Sequence, residues 1–247
     1  MENWKERTEL LLKQEGVSKL QASNVLIVGL GGVGAYAAEM LCRAGVGNMR
    51  IIDADTIHPS NRNRQLLALS SNNGESKAML MKKRLLDINP ELNIIADEVF
   101  LKEELTEQVL DLDFDFVIDA IDSLTPKIAL IASALNRNIP IISSMGSGGK
   151  TNPAKIQIAD FSETYNDKLA RMLRKRMHKM GIYSGFKVVF SSEKTNPDAV
   201  KFVDNEMNKK TTVGTISYMP PLFGSFMAAE VIRDIAGIVE FENHKVK

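Results

Sequence analysis

The sequence predicts an α/β protein with a Rossmann-like, mostly parallel sheet and helices on both faces, extended by additional carboxyl-terminal strands and a closing helix. Two observations predict this fold class. Short apolar runs recur along the chain and are separated by segments with helical spacing. The first apolar run, residues 24–28, passes directly into a glycine-rich turn, an apolar helical run and a second apolar run at 49–53. This strand, turn, helix and strand unit is typical of a parallel sheet.

The glycine-rich turn is the main functional signal. Residues 29–34 read GLGGVG. Gly29 permits the tight turn, Gly31 lets the backbone approach a phosphate, and Gly34 lets the helix pack on its strand. The helix then offers unpaired N–H groups to that phosphate, and Asp53 at the end of the second strand can hold ribose hydroxyls. We expect a nucleotide site here; a glycine turn that merely packs is the alternative.

Composition limits the classes of function. The 247 residues carry zero formal net charge and 44% are hydrophobic, so attraction to nucleic acid or membrane must be local. The single cysteine, Cys42, excludes a disulfide within the chain and a four-cysteine zinc site, and its apolar surroundings favour a buried thiol over a nucleophile. Residues 1–15 are charged throughout, and no apolar run approaches the roughly 20 residues of a membrane helix. We expect a cytoplasmic protein with no integral membrane segment.

Leucines at helical spacing predict an amino-terminal helix over residues 4–20 with one buried face. Arg7 on this helix is, from the pattern alone, a solvated surface residue.

A polar loop and a further helix follow the second strand. Residues 56–65 lie at the carboxyl ends of the strands, where open α/β sheets place their ligands. Asn61 and Arg64 suit ribose and phosphate contacts, because a guanidinium binds oxyanions through two hydrogen bonds; a solvated loop is the alternative. The next helix, to about residue 88, carries Lys77 in its first turn, where the dipole disfavours a cation. An anion that shares the site would explain Lys77, although a surface lysine is the common case.

The first half of the chain closes near residue 150. The pattern predicts strands at 92–99, 114–119 and 139–143, helices at 103–110 and 128–136, and a glycine-rich loop at 145–150. Asp122 follows the strand at 114–119. Its carboxylate is placed either to hold Mg²⁺ against phosphates or to cap the next helix.

The second half extends the sheet and carries a cationic segment. The pattern predicts strands at 155–160 and 186–190, an irregular and mobile loop at 191–212, and a closing helix at 215–236. No acid interrupts residues 168–187, and the cations there fall at helical spacing. Such a run is usually a solvated face, but a run of one sign also suits a polyanion. We predict a single domain over residues 1–247, with a nucleotide-binding half at 5–150 and an extension at 151–247.

Residues 5–150 resemble the ubiquitin-activating-like superfamily of adenylating enzymes, typified by ThiF and MoeB. The resemblance rests on the glycine loop, Asp53-Ala54-Asp55, the Asn61/Arg64/Gln65 cluster, Lys77 and Asp119-Ala120-Ile121-Asp122, which occur in the order of that family. It implies that the chain binds ATP and Mg²⁺ and activates a carboxylate. The implied ATP-binding residues are Gly29, Gly31, Gly32, Gly34, Asp53, Asp55, Asn61, Arg64 and Lys77. The implied catalytic residues are Arg64, Lys77, Asp122, which would hold Mg²⁺, and Arg7, which would reach the triphosphate from the other subunit of a homodimer.

Within this superfamily the full-length pattern resembles the tRNA threonylcarbamoyladenosine dehydratases. The parallels are residues 118–123, Pro126-Lys127, and the 146–150 loop leading to Pro153, followed by the basic segment. That family uses ATP to activate the carboxylate of a modified adenosine in tRNA, which then cyclises with loss of water, and it requires no thiol. The resemblance implies a tRNA substrate carrying threonylcarbamoyladenosine. The implied tRNA-binding residues are Arg171, Arg174, Lys175, Arg176 and Lys179.

Three other functions stay open at this point. An activator of a small ubiquitin-like sulfur-carrier protein would also use ATP, but the paired CxxC zinc motifs typical of such enzymes are missing. An NAD-dependent dehydrogenase fits the glycine loop less well once Asn61, Arg64 and Lys77 are considered. A non-catalytic nucleotide sensor would bind ATP without turnover. The resemblance also leaves room for sulfur-transfer partner proteins.

Overall fold

The computed structural model describes residues 4–206 and 209–238. Its helices are α1 Glu6–Ala22, α2 Gly34–Ala44, α3 Lys77–Ile88, α4 Glu103–Leu110, α5 Leu124–Asn136, α6 Lys168–His178 and α7 Met219–Ala236. Its strands are β1 Asn24–Val28, β2 Asn48–Ile52, β3 Asn93–Asp97, β4 Phe116–Asp119, β5 Ile141–Ser144, β6 Ile156–Asp160, β7 Lys187–Ser191, β8 Val200–Glu206 and β9 Lys209–Val213. Residues 1–3, 207–208 and 239–247, which the single-domain prediction includes, lie outside the described residues.

Seven strands form one sheet in the order β3-β2-β1-β4-β5-β7-β6. The sheet is parallel from β3 to β7, and β6 pairs antiparallel to β7. Val28 at the end of β1 is in register with Ile52 of β2 and with Asp119 of β4. The strand order reverses between β1 and β4, so the ligand crevice of an open sheet is expected at these three strand ends. The predicted fold class is confirmed.

Helices cover both faces of this sheet, and each face has its own apolar core. One core packs buried residues of α1, α2, α3 and α7 against the sheet, and the other packs those of α4, α5 and α6. α7 lies directly on α2: an added Cβ at Gly224 would stand 2.3 Å from the carbonyl oxygen of Val33. The closing helix therefore supports the helix that follows the glycine loop.

The amino-terminal helix departs from its predicted packing. α1 is interrupted at Lys13, whose φ of 60° and ψ of 169° are not helical. Leu20 beyond this point is buried, whereas Leu10 and Leu11 before it are 69% and 75% exposed. The predicted buried face is therefore present only in part, because Leu12 and Leu20 pack against the core while Leu10 and Leu11 do not.

The predicted mobile loop at 191–212 was also wrong in part. Residues 200–206 and 209–213 form an antiparallel hairpin, β8 and β9, separate from the main sheet. The predominantly polar run from Asp204 to Thr212 interrupts the apolar pattern, so backbone pairing was not visible in the hydrophobic pattern. None of the helices in the described part of the chain has the length and hydropathy of a membrane span.

Candidate nucleotide-binding and catalytic site

The glycine loop connects β1 to α2 at the carboxyl edge of the sheet. Gly29 has a φ of 90°, and a Cβ there would lie 2.8 Å from the carbonyl oxygen of Ala120 on the next strand. A Cβ at Gly34 would lie 1.8 Å from the carbonyl oxygen of Gly29, so a larger residue at position 34 would clash with the loop backbone. By contrast, a Cβ at Gly31 would meet, among the described residues, the amide nitrogen of Gln65 at 3.8 Å. The loop is closed on its sheet side and open above Gly31, as a phosphate cradle requires.

Asp53 is fixed beside this loop by backbone donors. The N–H groups of Leu30 and Asp55 donate to its two carboxylate oxygens at 2.5 and 2.8 Å. Burial raises the pKa of the Asp53 carboxyl, and the Lys77 charge and both backbone donors oppose that shift. Each oxygen retains acceptor capacity for a ribose hydroxyl. The structure thus places Asp53 where a nucleotide on the glycine loop would meet it.

Lys77 is buried at the amino terminus of α3 and forms an ion pair. Its Nζ lies 2.8 Å from Oδ2 of Asp55, and the lysine is 5% exposed while the aspartate is 73% exposed. Ser76 caps the helix by accepting from the N–H of Met79. The anion expected beside Lys77 is therefore, in this structure, the carboxylate of Asp55.

The 58–65 loop brings Arg64 onto the glycine loop. Its Nη1 donates to the carbonyl oxygen of Ser60 and to Oδ1 of Asn63, both at 2.9 Å. A Cβ at Gly32 would lie 3.3 Å from the Arg64 carbonyl oxygen, so this arginine covers the loop. Burial lowers the pKa of the Arg64 guanidinium, and the negative charge of Asp122 opposes that shift. Arg64 and Asp122 are therefore close enough to interact across the strand ends.

Asn61 and Asp122 differ in how they are held. Asn61 closes the turn that begins at His58, because the N–H of His58 donates to Oδ1 of Asn61 at 3.0 Å. Asp122 is exposed, and the residue at the amino-terminal cap of α5 is Ser123, without a side-chain capping bond. The alternative in which Asp122 caps this helix is thus not the observed arrangement.

Arg7 lies exposed on α1, before the kink at Lys13. The hydrogen bonds that join Asp53, Lys77 and Arg64 to their neighbours do not involve it. Within one chain, the structure does not bring Arg7 into this set of contacts.

A buried ionic cluster beneath the site was not predicted. Lys127 of α5 and Asp119 of β4 are both fully buried, with Nζ 2.6 Å from Oδ2, and Ser143 of β5 bonds to both. The N–H of Ile121 donates to the other Asp119 oxygen at 3.1 Å. Asp119 and Lys127 stand out in the sequence as charges within apolar runs, but their pairing depends on the β4–β5 register. The cluster anchors the backbone that leads to Asp122.

Two further observations concern cysteine and metal. Cys42 is buried as predicted, and burial raises the pKa of its thiol to about 11. Among the described residues, no group of three or more His, Cys, Asp or Glu side chains is arranged to hold a metal ion by itself. A metal here would need ligand oxygens in addition to a carboxylate.

The predicted cationic helix is α6, capped at its amino terminus by Asp167, which accepts from the N–H of Ala170 at 2.8 Å. Its apolar face, with Leu173 and Met177, is buried. The predicted tRNA-binding cations divide into two groups. Arg171, Lys175, Arg176 and Lys179 are exposed, whereas Arg174 is partly buried and donates to the Thr164 hydroxyl.

Comparisons with known proteins cover the whole fold. The model of the ThiF family matches residues 6–247. A tRNA threonylcarbamoyladenosine dehydratase of Bacillus subtilis (strain 168) is 41% identical over 248 residues, which is 98% of this chain and 98% of the relative. One from Escherichia coli (strain K12) is 38% identical over 177 residues, 70% of this chain and 66% of the relative. The crystal structure of the E. coli enzyme, TcdA, in complex with ATP is similar with a TM-score of 0.86 and 31% identity, covering 96% of both chains.

Proposed function

This chain belongs to the ThiF family, among its tRNA threonylcarbamoyladenosine dehydratases, and on that premise we propose that it cyclises threonylcarbamoyladenosine in tRNA at the expense of ATP. The observation that carries the proposal is the similarity to the Bacillus subtilis dehydratase over 98% of both chains. That length includes the glycine loop, the charged residues around it and the cationic helix. The proposed function therefore uses residues from both the 5–150 half and the 151–247 half of the predicted domain.

ATP fits the open glycine loop. The loop and the amino terminus of α2 offer N–H groups to the phosphates, and Asp53 receives the ribose hydroxyls. Asn61, Arg64 and Lys77 bind phosphate oxygens, with Lys77 exchanging its Asp55 partner for the more highly charged ligand. Arg64 and Lys77 together suit a triphosphate better than the pyrophosphate of NAD, which carries less negative charge.

Mg²⁺ also fits the residues present. Asp122 is an exposed carboxylate at the end of β4, and Mg²⁺ is commonly bound by one or two carboxylates together with substrate phosphates. When bound, the ion neutralises phosphate charge. Arg64, which interacts with Asp122, adds a fixed positive charge at the same place.

The reaction activates a poor electrophile. A carboxylate oxygen of the modified adenosine attacks a phosphorus of ATP and forms a mixed anhydride. Attack on the α-phosphorus gives an acyl-adenylate and releases pyrophosphate, whereas attack on the γ-phosphorus gives an acyl-phosphate and releases ADP. The neighbouring carbamoyl nitrogen then attacks the activated carbonyl carbon, loses its proton and expels the phosphoryl or adenylyl group with the original carboxylate oxygen. Arg64 and Lys77 stabilise the charge that develops on the phosphates, and the loop holds the reactants in position.

The substrate is recognised through α6. Its four exposed cations, Arg171, Lys175, Arg176 and Lys179, bind the tRNA backbone, whereas Arg174 holds the helix to Thr164. We propose that the reaction takes place in the cytoplasm, where tRNA is used in translation. A sulfur-transfer partner protein stays a prediction of the resemblance.

A homodimer is supported by the first part of α1. Trp4, Leu10 and Leu11 are 46%, 69% and 75% exposed on the same segment as Arg7, and we propose that a partner subunit covers them. A second subunit seated on them would carry Arg7 of each chain to the site of the other.

The alternative, an activator of a sulfur-carrier protein, requires a reactive thiol if it works through a thioester. Cys42 is buried with a pKa of about 11, so it is almost entirely protonated at neutral pH. Cys42→Ala should retain turnover, because nothing in the proposed chemistry uses sulfur. A folded Cys42→Ala protein without activity would instead favour the thioester alternative.

The proposed function is tested by ATP consumption with two tRNA preparations that differ in the modification. Bulk tRNA carrying threonylcarbamoyladenosine should stimulate ATP consumption and lose one water from the modified nucleoside. Matched tRNA lacking the modification should do neither. Equal ATP consumption with both preparations, or none with either, would overturn the proposal.

A further inference from the structure

A second buried ion pair joins the cationic helix to the loop after β5. Lys150 and Asp167 are 1% and 2% exposed, and Nζ of Lys150 lies 3.1 Å from Oδ2 of Asp167. The same carboxylate accepts from the N–H of Gly146 at 3.1 Å and caps α6 through Ala170. Lys150 also donates to the carbonyl oxygen of Ser191 at the end of β7. One carboxylate thus holds both the 146–150 loop and the first turn of α6.

This loop lies next to the catalytic edge. β5 is the neighbour of β4, with Ser143 in register with Asp119, so the loop after β5 emerges beside the run that ends at Asp122. It is also tied to the loop that carries Arg64. The N–H of Gly149 donates to the carbonyl oxygen of Gly214 at 2.8 Å, and Asn63 donates to that of Thr215 at 2.9 Å.

These contacts form a continuous hydrogen-bonded path from Arg64 to α6. Arg64 bonds to Asn63, Asn63 reaches residues 214–215, and these hold the loop whose Lys150 pairs with Asp167. A buried ion pair adds little net stability, because the cost of desolvation offsets the attraction between the charges. It does fix geometry, because separating the partners would leave a buried charge unpaired.

We propose that Asp167, with Lys150 as its partner, is a positioning residue that sets the cationic helix in register with the catalytic edge. Bound on α6, the tRNA then presents its modified nucleotide to the activated phosphate. The inference rests on the proposed function and adds a residue whose carboxylate binds Gly146, Lys150 and Ala170 and not the cationic side chains of α6. Its signature is a loss of turnover without a loss of substrate affinity.

Asp167→Asn tests the inference, because asparagine still caps a helix while the charge that pairs with Lys150 is removed. The matched control is Asp160→Asn. Asp160 also caps a turn and also accepts a backbone N–H, that of Gly185. It lies in strand register with Lys187 at the start of β7, whereas Lys150 binds Ser191 at the end of β7. Both variants are compared with wild type for ATP affinity, tRNA affinity and single-turnover rate at saturating ATP and modified tRNA.

We expect Asp167→Asn to lower the single-turnover rate about 10- to 100-fold, as a misplacement near 1 Å can do. Its tRNA affinity should stay within about threefold of wild type, because the phosphate contacts are kept. Asp160→Asn should match wild type in all three measurements. The double variant Lys150→Met/Asp167→Asn, which leaves no buried charge unpaired, should fold and show the same loss of rate.

Two outcomes would overturn the inference. One is a single-turnover rate for Asp167→Asn, or for the double variant if the single one fails to fold, equal to that of Asp160→Asn. The other is a fall in tRNA affinity with the saturated rate unchanged, which would make Asp167 part of the binding surface alone. Failure of the proposed function looks different, because wild type itself would then not turn over modified tRNA.

Discussion

At the scale of single residues, the site is a set of charges held by backbone groups and by one another before any ligand arrives. Asp53 accepts two backbone N–H groups, and Lys77 is paired with Asp55. Arg64 is held over the glycine loop by Ser60 and Asn63. Such preorganisation lets charge on a transferring phosphate be stabilised without rearrangement. The side chains most directly responsible are Arg64 and Lys77.

Arg64→Ala and Lys77→Ala should each lower turnover by about 100-fold or more, as expected when a transition-state charge loses its partner. The fold should survive Lys77→Ala, because the aspartate left behind is 73% exposed and solvated. Arg62→Ala and Lys83→Ala are matched controls, since both residues are exposed on the same loop and the same helix. Steady-state kinetics and circular dichroism check the prediction. If Arg64→Ala were as active as Arg62→Ala, Arg64 would not be catalytic.

At the scale of elements, buried charges connect strands and helices that the chain places far apart. Asp119, Lys127 and Ser143 join β4, α5 and β5. Lys150 and Asp167 join the loop after β5 to α6. Both clusters lie at the carboxyl edge of the sheet, where they hold the backbone that carries the site.

Lys127→Met should lower the free energy of unfolding by about 3 kcal/mol, because Asp119 would then be a fully buried carboxylate without its cation. Urea denaturation measures this change. Lys19→Met removes an exposed pair with Glu15 and should leave the midpoint unchanged. A similarly small effect of Lys127→Met would show that the buried pair does not hold these elements together.

The cationic face of α6 should give tRNA binding a steep salt dependence. Arg171, Lys175 and Lys179 are exposed at intervals of four residues, which places them on one side of the helix. Their combined change to alanine should reduce the log–log salt slope by about two units, since each phosphate contact contributes about 0.7–0.9. ATP affinity should stay near that of wild type. Changing Lys19, Lys83 and Lys102 together removes the same charge elsewhere, and an equal effect would show that α6 is merely a solvated face.

Elements were predictable where the hydrophobic pattern is strong. The buried strands β1, β2, β4 and β5 and the glycine loop follow from local sequence, as does the cationic helix. The β8–β9 hairpin, the kink at Lys13 and the Lys150–Asp167 pair were not predictable. The hairpin strands are too polar to show a buried-strand pattern, the kink is set by one backbone angle, and the ion pair depends on a tertiary contact that single-sequence periodicity does not carry. The charged residues of the site were predicted because their residue types matched a family pattern. The side chains and backbone groups that hold them were not predicted.

At the scale of the whole molecule, the two halves of the chain share one sheet and one carboxyl edge. The first half supplies the glycine loop and the cations proposed to bind phosphate, and the second supplies α6. The first part of α1 exposes Leu10 and Leu11 to solvent. A second copy of the chain is the partner that would complete the site with Arg7.

Mixing Arg7→Ala with Asp122→Ala should restore activity if Arg7 acts in the other subunit. Each variant alone should be inactive, but after full exchange half of the dimers are hybrids with one intact site. About a quarter of the wild-type activity per subunit is then expected for a symmetric dimer. Subunit exchange is followed by mass spectrometry of differently tagged chains. Absence of recovery in a mixture with demonstrated hybrids would exclude an arginine supplied in trans.

Activation of the carboxylate of the modified adenosine by ATP is tested by following a labelled oxygen. The carboxylate of threonylcarbamoyladenosine in tRNA is labelled with ¹⁸O and incubated with the protein, ATP and Mg²⁺. We expect the cyclised nucleoside to lose one labelled oxygen and this oxygen to appear in the released AMP or phosphate. Cyclised product with the label released into water, and none in AMP or phosphate, would exclude activation of the carboxylate by ATP.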